Sequence, residues 1–333
     1  MSVPKTGARL VTLAEIAAAA EGLRGITVVT PLLPFGDGAY LKPESLQPIG
    51  AFKLRGAYHA ISSLSPAERA GGVVAHSSGN HAQGVARAAR LLGVHAVIVM
   101  PSDASIVKVE RTRGDGAEIV FVGPASEERA ARAVELAAER GLTPIPPYDD
   151  PRIIAGQGTA GLEIVRQLEA LGIEGSFTVL VPVGGGGLAS GVATAVMSLR
   201  PDARVYGVEP ALAADARDSL AAGHVVRWPP ESVGQTIADG QRGSSIAELT
   251  FLHLSRYLAG ILTVEEDEIC RAMVRAQREA RLVLEPSGAT SLAALLFAVP
   301  VDAPHPVVAL LSGGNVDPAR YAEYIARGEA AGG

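Results

Sequence analysis

Four consecutive glycines, Gly184, Gly185, Gly186 and Gly187, follow an apolar run at residues 178–183 and lead into a helix-like stretch at residues 188–199. A strand that enters four residues without Cβ and leaves as a helix commits this part of the chain to βα geometry. The missing side chains let successive backbone N–H groups converge on one anion, and the helix N-terminus adds free N–H groups and the positive end of its dipole. The run therefore predicts a cup for a phosphorylated ligand. It is not the dinucleotide fingerprint, whose glycines are spaced G-x-G-x-x-G and stand in a first βαβ unit.

The rest of the chain repeats the alternation. β-Branched runs at residues 73–76, 96–100, 119–122, 178–183, 204–208 and 307–311 each lead toward a helical pattern, which implies mostly parallel sheets covered by helices on both faces. Thr12-Leu13-Ala14-Glu15 and Thr263-Val264-Glu265-Glu266 both fit the capping-box pattern and are expected to open helices. A strong helix is predicted at residues 127–140. The Pro- and Asp-rich segment 144–150 reads as a crossing between two lobes.

At 333 residues, 48% of them hydrophobic, the chain has material for about two domains with sizeable cores. A net charge of −6 without a basic cluster argues against nucleic acid and against an anionic membrane surface, which leaves small molecules as partners. Residues 175–199 carry no charge over a length that could span a bilayer, but Pro182 and the four glycines would break such a helix. The N-terminal alanines at 17–20 are flanked by Glu15 and Glu21 and form no export signal, and Cys270 is the single cysteine, so a cytoplasmic location is expected.

Three segments carry chemistry. Lys53 follows the turn Gly50-Ala51-Phe52 at the start of a predicted helix; in a desolvated pocket its amine would have a lowered pKa and attack a carbonyl, although most loop lysines are solvated charges. His76-Ser77-Ser78-Gly79-Asn80-His81 follows a strand and begins a helix, which suits either a bound carboxylate or a plain N-cap turn. Ser312-Gly313-Gly314-Asn315 repeats the strand-to-glycine pattern, where a hydroxyl could meet a ring nitrogen or simply complete a turn.

Taken in order, these segments resemble the fold type II family of pyridoxal-phosphate enzymes, and within it the serine racemase and threonine or serine dehydratase branch. The resemblance covers nearly the whole chain: Thr30-Pro31-Leu32, Lys53, the segment from Ser77 to His81, Ile154-Ala155-Gly156-Gln157-Gly158-Thr159, the tetraglycine, Thr236-Ile237-Ala238-Asp239-Gly240, Glu285-Pro286 and Ser312-Gly313-Gly314-Asn315. It implies a two-lobed α/β fold of mostly parallel twisted sheets flanked by helices, like the tryptophan synthase β chain. Residues 1–71 and 150–333 would form a large cofactor-binding domain and residues 72–149 a small mobile one. A homodimer is the family expectation.

The resemblance also implies roles. Lys53 would carry pyridoxal 5'-phosphate, with Phe52 against the ring, Gly184 to Gly187 on the phosphate, Asn80 on the phenolic oxygen and Ser312 on the pyridine nitrogen. A neutral serine there leaves the ring a weaker electron sink than a carboxylate partner would. Ser77, Ser78, Asn80 and His81 would receive the substrate carboxylate, and Ser78 matches the racemase serine acting opposite Lys53. Glu209, Ala213 and Asp215 match the family's cation site, an all-oxygen set suited to Mg²⁺, Ca²⁺ or Mn²⁺. The implied activity is an ammonia-lyase (dehydratase) that turns L-threonine, L-serine or a related β-hydroxy amino acid into a 2-keto acid and ammonia, with amino acid racemisation as the alternative. Ile49-Gly50-Ala51 stands where many relatives carry Thr-Gly-Ser, which removes two hydroxyls near the cofactor and leaves the substrate open.

Overall fold

The computed structural model describes residues 9–77, 79–104, 106–123 and 126–332. Its ten strands are β1 (Leu33–Pro34), β2 (Ala39–Pro43), β3 (Val73–His76), β4 (Ala96–Pro101), β5 (Glu118–Val122), β6 (Thr143–Pro144), β7 (Thr178–Pro182), β8 (Arg204–Pro210), β9 (Gly260–Val264) and β10 (Val307–Leu311). They form a six-stranded sheet in the order β1-β2-β10-β7-β8-β9 and a four-stranded sheet in the order β5-β4-β3-β6. Every pairing is parallel except β1 with β2. The larger sheet therefore takes strands from both ends of the chain, with β10 inserted between β2 and β7.

Both faces of each sheet are covered, and the alternation of side chains shows it. Along β10, Val307, Ala309 and Leu311 enter one cluster with residues of the helices Glu266–Arg275 and Pro286–Phe297. Val308 and Leu310 enter the opposite one, with residues of the helices Pro151–Ala170 and Gly187–Leu199. In the smaller sheet Val73, Ala75, Ile98 and Met100 face one cluster, and Val74, Val97 and Val99 the other. This is the α/β, mostly parallel, helix-flanked class that the βα alternation predicts.

Local signals largely set the helix ends. Thr12 caps Leu13–Gly22 with a reciprocal bond from Glu15, as expected. The second expected capping box is corrected. Thr263 lies inside β9, paired opposite Glu209 of β8, and the next helix begins at Glu266 after Glu265, whose N–H is bonded by Glu268. Strand pairing there outweighs a pattern that local sequence satisfies equally well. Asp150 ends the segment between the sheets by capping Pro151–Ala170 through the N–H of Arg152.

Candidate active site

The ligand-facing turns lie at carboxyl ends of parallel strands, where open α/β sheets place their binding crevices. The helix Gly187–Leu199 follows β7 through the glycine run, and no side chain caps it at Gly186, so its first N–H groups remain for a ligand. The turn is closely packed from outside: a Cβ on Gly185 would overlap the Tyr148 ring, and one on Gly184 would come within 2.9 Å of the Gly240 carbonyl.

Lys53 opens the helix Lys53–Ser62, and the turn before it is tied to the turn after β10. Phe52 N–H donates to the Ser312 carbonyl at 3.1 Å, Gly314 N–H to the Gly50 carbonyl at 2.9 Å, and Ala51 bridges Gly313. The Lys53 amine donates to the Pro147 carbonyl at 2.8 Å. Burial lowers its pKa to about 8, so a minor fraction is already free amine at neutral pH, far more than for an ordinary lysine. Phe52 places its ring centroid 5.1 Å from that nitrogen.

Two residues after Lys53, Arg55 is fully buried, as are Lys42 and Glu44. The guanidinium bonds Glu44 at 2.7 and 2.8 Å and Glu163 at 2.6 and 2.9 Å, with Thr159 and the Val28 carbonyl as further acceptors. Lys42 bonds Glu163 at 2.6 Å, the Thr30 carbonyl and Gln167. Two cations and two carboxylates thus balance, and they fasten the Lys53 helix to Pro151–Ala170 and to the end of β2.

Ser77 and Gly79 bound the turn after β3, and Asn80 begins the helix Asn80–Leu92, which has no side-chain cap. Ser78 lies outside the described residues. Asn80 donates through Nδ2 to Glu285 at 2.5 Å and accepts through Oδ1 from Asn315 at 2.8 Å. The buried His81 ring approaches the Ile145 carbonyl at 2.9 Å through Nε2, which must therefore carry its proton there. Burial, with the Lys53 charge, lowers its pKa to about 3, so the ring is neutral and its donor is committed to the backbone. What His81 offers an incoming carboxylate is its N–H in the first turn. Ser312 is buried, and its hydroxyl bonds the Ser287 carbonyl at 3.3 Å.

Lys53, Phe52, Ser77, Asn80, His81, the four glycines and Ser312 line one cavity of about 230 Å³. The described expected site residues on that side of the molecule thus converge. Tyr148, Asp239 and Glu285 join them, and sequence reasoning had not singled them out as site residues. Glu285 had appeared only within a matched dipeptide; the signal for it is its place at the start of the helix Pro286–Phe297, against Gly313, where a Cβ would overlap its carboxyl. Burial, and secondarily the Asp239 charge, raises the Glu285 pKa to about 8, which keeps it mostly protonated at neutral pH.

Glu209, Ala213 and Asp215 lie apart from this cavity, at the end of β8 and the start of the helix Asp215–Ala222, and all three are buried. Glu209 accepts the N–H groups of Ala216 and Arg217 at 3.0 and 2.9 Å. Asp215 Oδ2 is buried without a hydrogen-bond partner. Burial raises the Glu209 pKa well above the ordinary range, reinforced by Asp215, and raises Asp215 to about 7. Among the described residues no cluster of three or more His, Cys, Asp or Glu side chains could hold a metal, so a cation here would rely on two carboxylates, backbone oxygen and water.

A glycine turn with uncapped backbone N–H groups, in one cavity with a buried lysine of lowered pKa, is the arrangement that suits a phosphorylated carbonyl cofactor. The chain belongs to the pyridoxal-phosphate-dependent enzyme family, whose model matches residues 23–313. It is 43% identical over 293 residues to the L-threo-3-hydroxyaspartate ammonia-lyase of Saccharomyces cerevisiae, covering 87% of this chain and 86% of that one. It is 36% identical over 325 residues to the serine racemase of Schizosaccharomyces pombe, covering 96% and 98%. A crystal structure of the threonine deaminase of T.th. superposes with a TM-score of 0.86 at 44% identity over 92% of this chain and 99% of that one. The fold type II resemblance and the fold class are thereby established. No helix among the described residues is long and apolar enough to cross a membrane.

Proposed function

We propose that this chain is a pyridoxal-phosphate-dependent ammonia-lyase that converts a β-hydroxy amino acid, in the class of L-threonine and L-serine, to a 2-keto acid and ammonia. The observation that carries the reading is the convergence of Lys53, the glycine turn, Asn80 and Ser312 on one cavity. Lys53 would hold the cofactor, Gly184 to Gly187 its phosphate, Asn80 its phenolic oxygen and Ser312 its ring nitrogen, with Phe52 flanking the ring. The cradle fits: a Cβ within the glycine turn would strike Tyr148 or Gly240. Bound pyridoxal phosphate supplies the electron sink for the Cα–H bond electrons.

The residues do the rest. Ser77, Ser78, Asn80 and the His81 N–H receive the substrate carboxylate at a helix N-terminus. Lys53 takes the Cα proton, the Cβ–O bond breaks with release of water, and one water returns in the hydrolysis that frees ammonia. The sum is substrate to keto acid plus ammonia. Small-lobe closure, with residues 72–149 moving against residues 1–71 and 150–333, would exclude water from that step. Glu209, Ala213 and Asp215 would hold Mg²⁺, Ca²⁺ or Mn²⁺; the unpartnered Asp215 Oδ2 beside a second buried carboxylate supports this. We assign a homodimer on the family resemblance and a cytoplasmic location on the single cysteine.

Racemisation is the second reading, favoured by the serine racemase relative and by Ser78 at the matching position. The test is keto acid and ammonia release from L- and D-serine, L- and D-threonine and threo-3-hydroxyaspartate, while the enantiomer of the residual substrate is followed. Release with little inversion supports the lyase. Inversion without release overturns it in favour of the racemase.

A further inference from the structure

An asparagine amide can usually present either end to a neighbour, but the one at Asn315 is fixed from both sides. Its Nδ2 donates at 2.8 Å to the Ile49 carbonyl, which can only accept, and its Oδ1 receives at 2.5 Å the Arg111 guanidinium, which can only donate. Turning the amide over would lose both bonds. Nδ2 also donates to Asn80 Oδ1 at 2.8 Å. The orientation of Asn80 is thereby set as well: its oxygen is taken, and Nδ2 is the end left for the cofactor cavity that Asn80 lines. One Nδ2 hydrogen goes to Glu285 Oε1 at 2.5 Å, and among the described residues this nitrogen makes no other hydrogen bond.

The four side chains come from distant parts of the chain. Arg111 lies in the helix Ile106–Gly114 and Asn80 opens Asn80–Leu92, whereas Asn315 follows β10 and Glu285 precedes Pro286–Phe297. Asn315 is buried, and Arg111 faces an outer chamber of about 810 Å³ that both line. Glycines keep space for them: a Cβ on Gly50 would come within 2.5 Å of Asn315 Oδ1, and one on Gly313 would overlap the Glu285 carboxyl. The donations run one way, guanidinium to amide to amide, so each bond polarises the next and the charge outside the cavity is felt at the Asn80 N–H inside it. Such a donor matches an oxygen that carries negative charge. Glu285 does not compete for that oxygen's place as an anion, because burial keeps it mostly protonated.

We infer that Arg111 and Asn315 are positioning residues, which through Asn80 hold a donor on the phenolic oxygen of pyridoxal phosphate and keep that oxygen ionised. This rests on the cofactor reading above, and it adds a guanidinium outside the cavity to the groups that set the cofactor's electronic state.

The bound cofactor reports the outcome directly, since its visible band comes from the form with an ionised phenolic oxygen and its near-ultraviolet band from the un-ionised form. Asn315→Asp keeps the size and the Arg111 contact but turns the donor facing Asn80 into an acceptor, so the visible-to-near-ultraviolet ratio should fall about tenfold. Arg111→Met leaves Asn315 on the Ile49 carbonyl and should lower the ratio about threefold, and Arg111→Lys, which restores a donor, should bring it back. Arg111 is exposed, so its variants keep the test open if Asn315→Asp does not fold. Ratios unchanged in Arg111→Met and Asn315→Asp, in protein that binds the cofactor and releases keto acid, would overturn the inference and leave the lyase reading intact. A lowered melting temperature or weaker cofactor binding, with the ratio per bound cofactor unchanged, would overturn it equally, since it marks a role in folding alone. A chain that develops neither band with pyridoxal phosphate would sink both readings.

Discussion

Two buried charged clusters in this protein differ in what they leave over. Around Arg55, two cations meet two carboxylates, and every guanidinium nitrogen has an acceptor. Around Glu209, two carboxylates form no ion pair among the described residues, Glu209 accepts two backbone N–H groups, and one oxygen of Asp215 has no hydrogen-bond partner. Burial of charge is tolerated in both because the surroundings compensate it, but only the first is complete within the chain. The incomplete cluster is the one to expect a ligand at. Lys53 belongs with it, since its single acceptor is a backbone carbonyl and burial lowers its pKa.

The largest effect should come from the most incomplete group. Lys53→Ala is expected to abolish keto acid release and the absorbance change that accompanies cofactor uptake, with far-ultraviolet circular dichroism unchanged; residual turnover would remove Lys53 from its role. Next is the complete cluster. Arg55→Met strands Glu44, leaves Glu163 with Lys42 alone, and should cost about 3–5 kcal/mol in denaturant unfolding. A cost below about 1 kcal/mol would show the network to be nearly neutral, and the contrast between the clusters would collapse.

At the carboxylate pair, added Mg²⁺ or Ca²⁺ should raise the melting temperature, by the equivalent of about 2.7 kcal/mol at a hundredfold excess over Kd. Asp215→Asn should lose most of that rise and any sensitivity of activity to chelators. An undiminished rise would place the cation elsewhere. The smallest effect is in pH. Folded Lys53 titrates near 8 and the unfolded residue near 10.5, so between these values the unfolded chain holds the extra proton and stability rises with pH. Apoprotein should gain about 1 kcal/mol relative to Lys53→Met between pH 8 and 9, and a constant difference would mean an ordinary lysine.

How much of this could be read in the sequence follows from the range of the interactions. Strands such as β3 and β10 were visible because a buried parallel strand is a short apolar run, and the glycine turn because its function requires missing side chains at adjacent positions. The Arg55 cluster was not visible, because Glu163 lies 108 residues from Arg55 and 121 from Lys42. Thr263 misled because a capping pattern is local whereas the pairing of β9 with β8 is not. Tyr148 sits in a segment whose sequence marks only a crossing, and Asp239 in a matched segment to which no role was given; both come to the cavity through folding alone.

The carbonyl that holds the Lys53 amine belongs to Pro147, in the stretch joining the smaller sheet to the larger. Were Lys53 to hold a cofactor through its amine, that bond would be given up, and the connection between the sheets would lose one of its ties to the helix Lys53–Ser62.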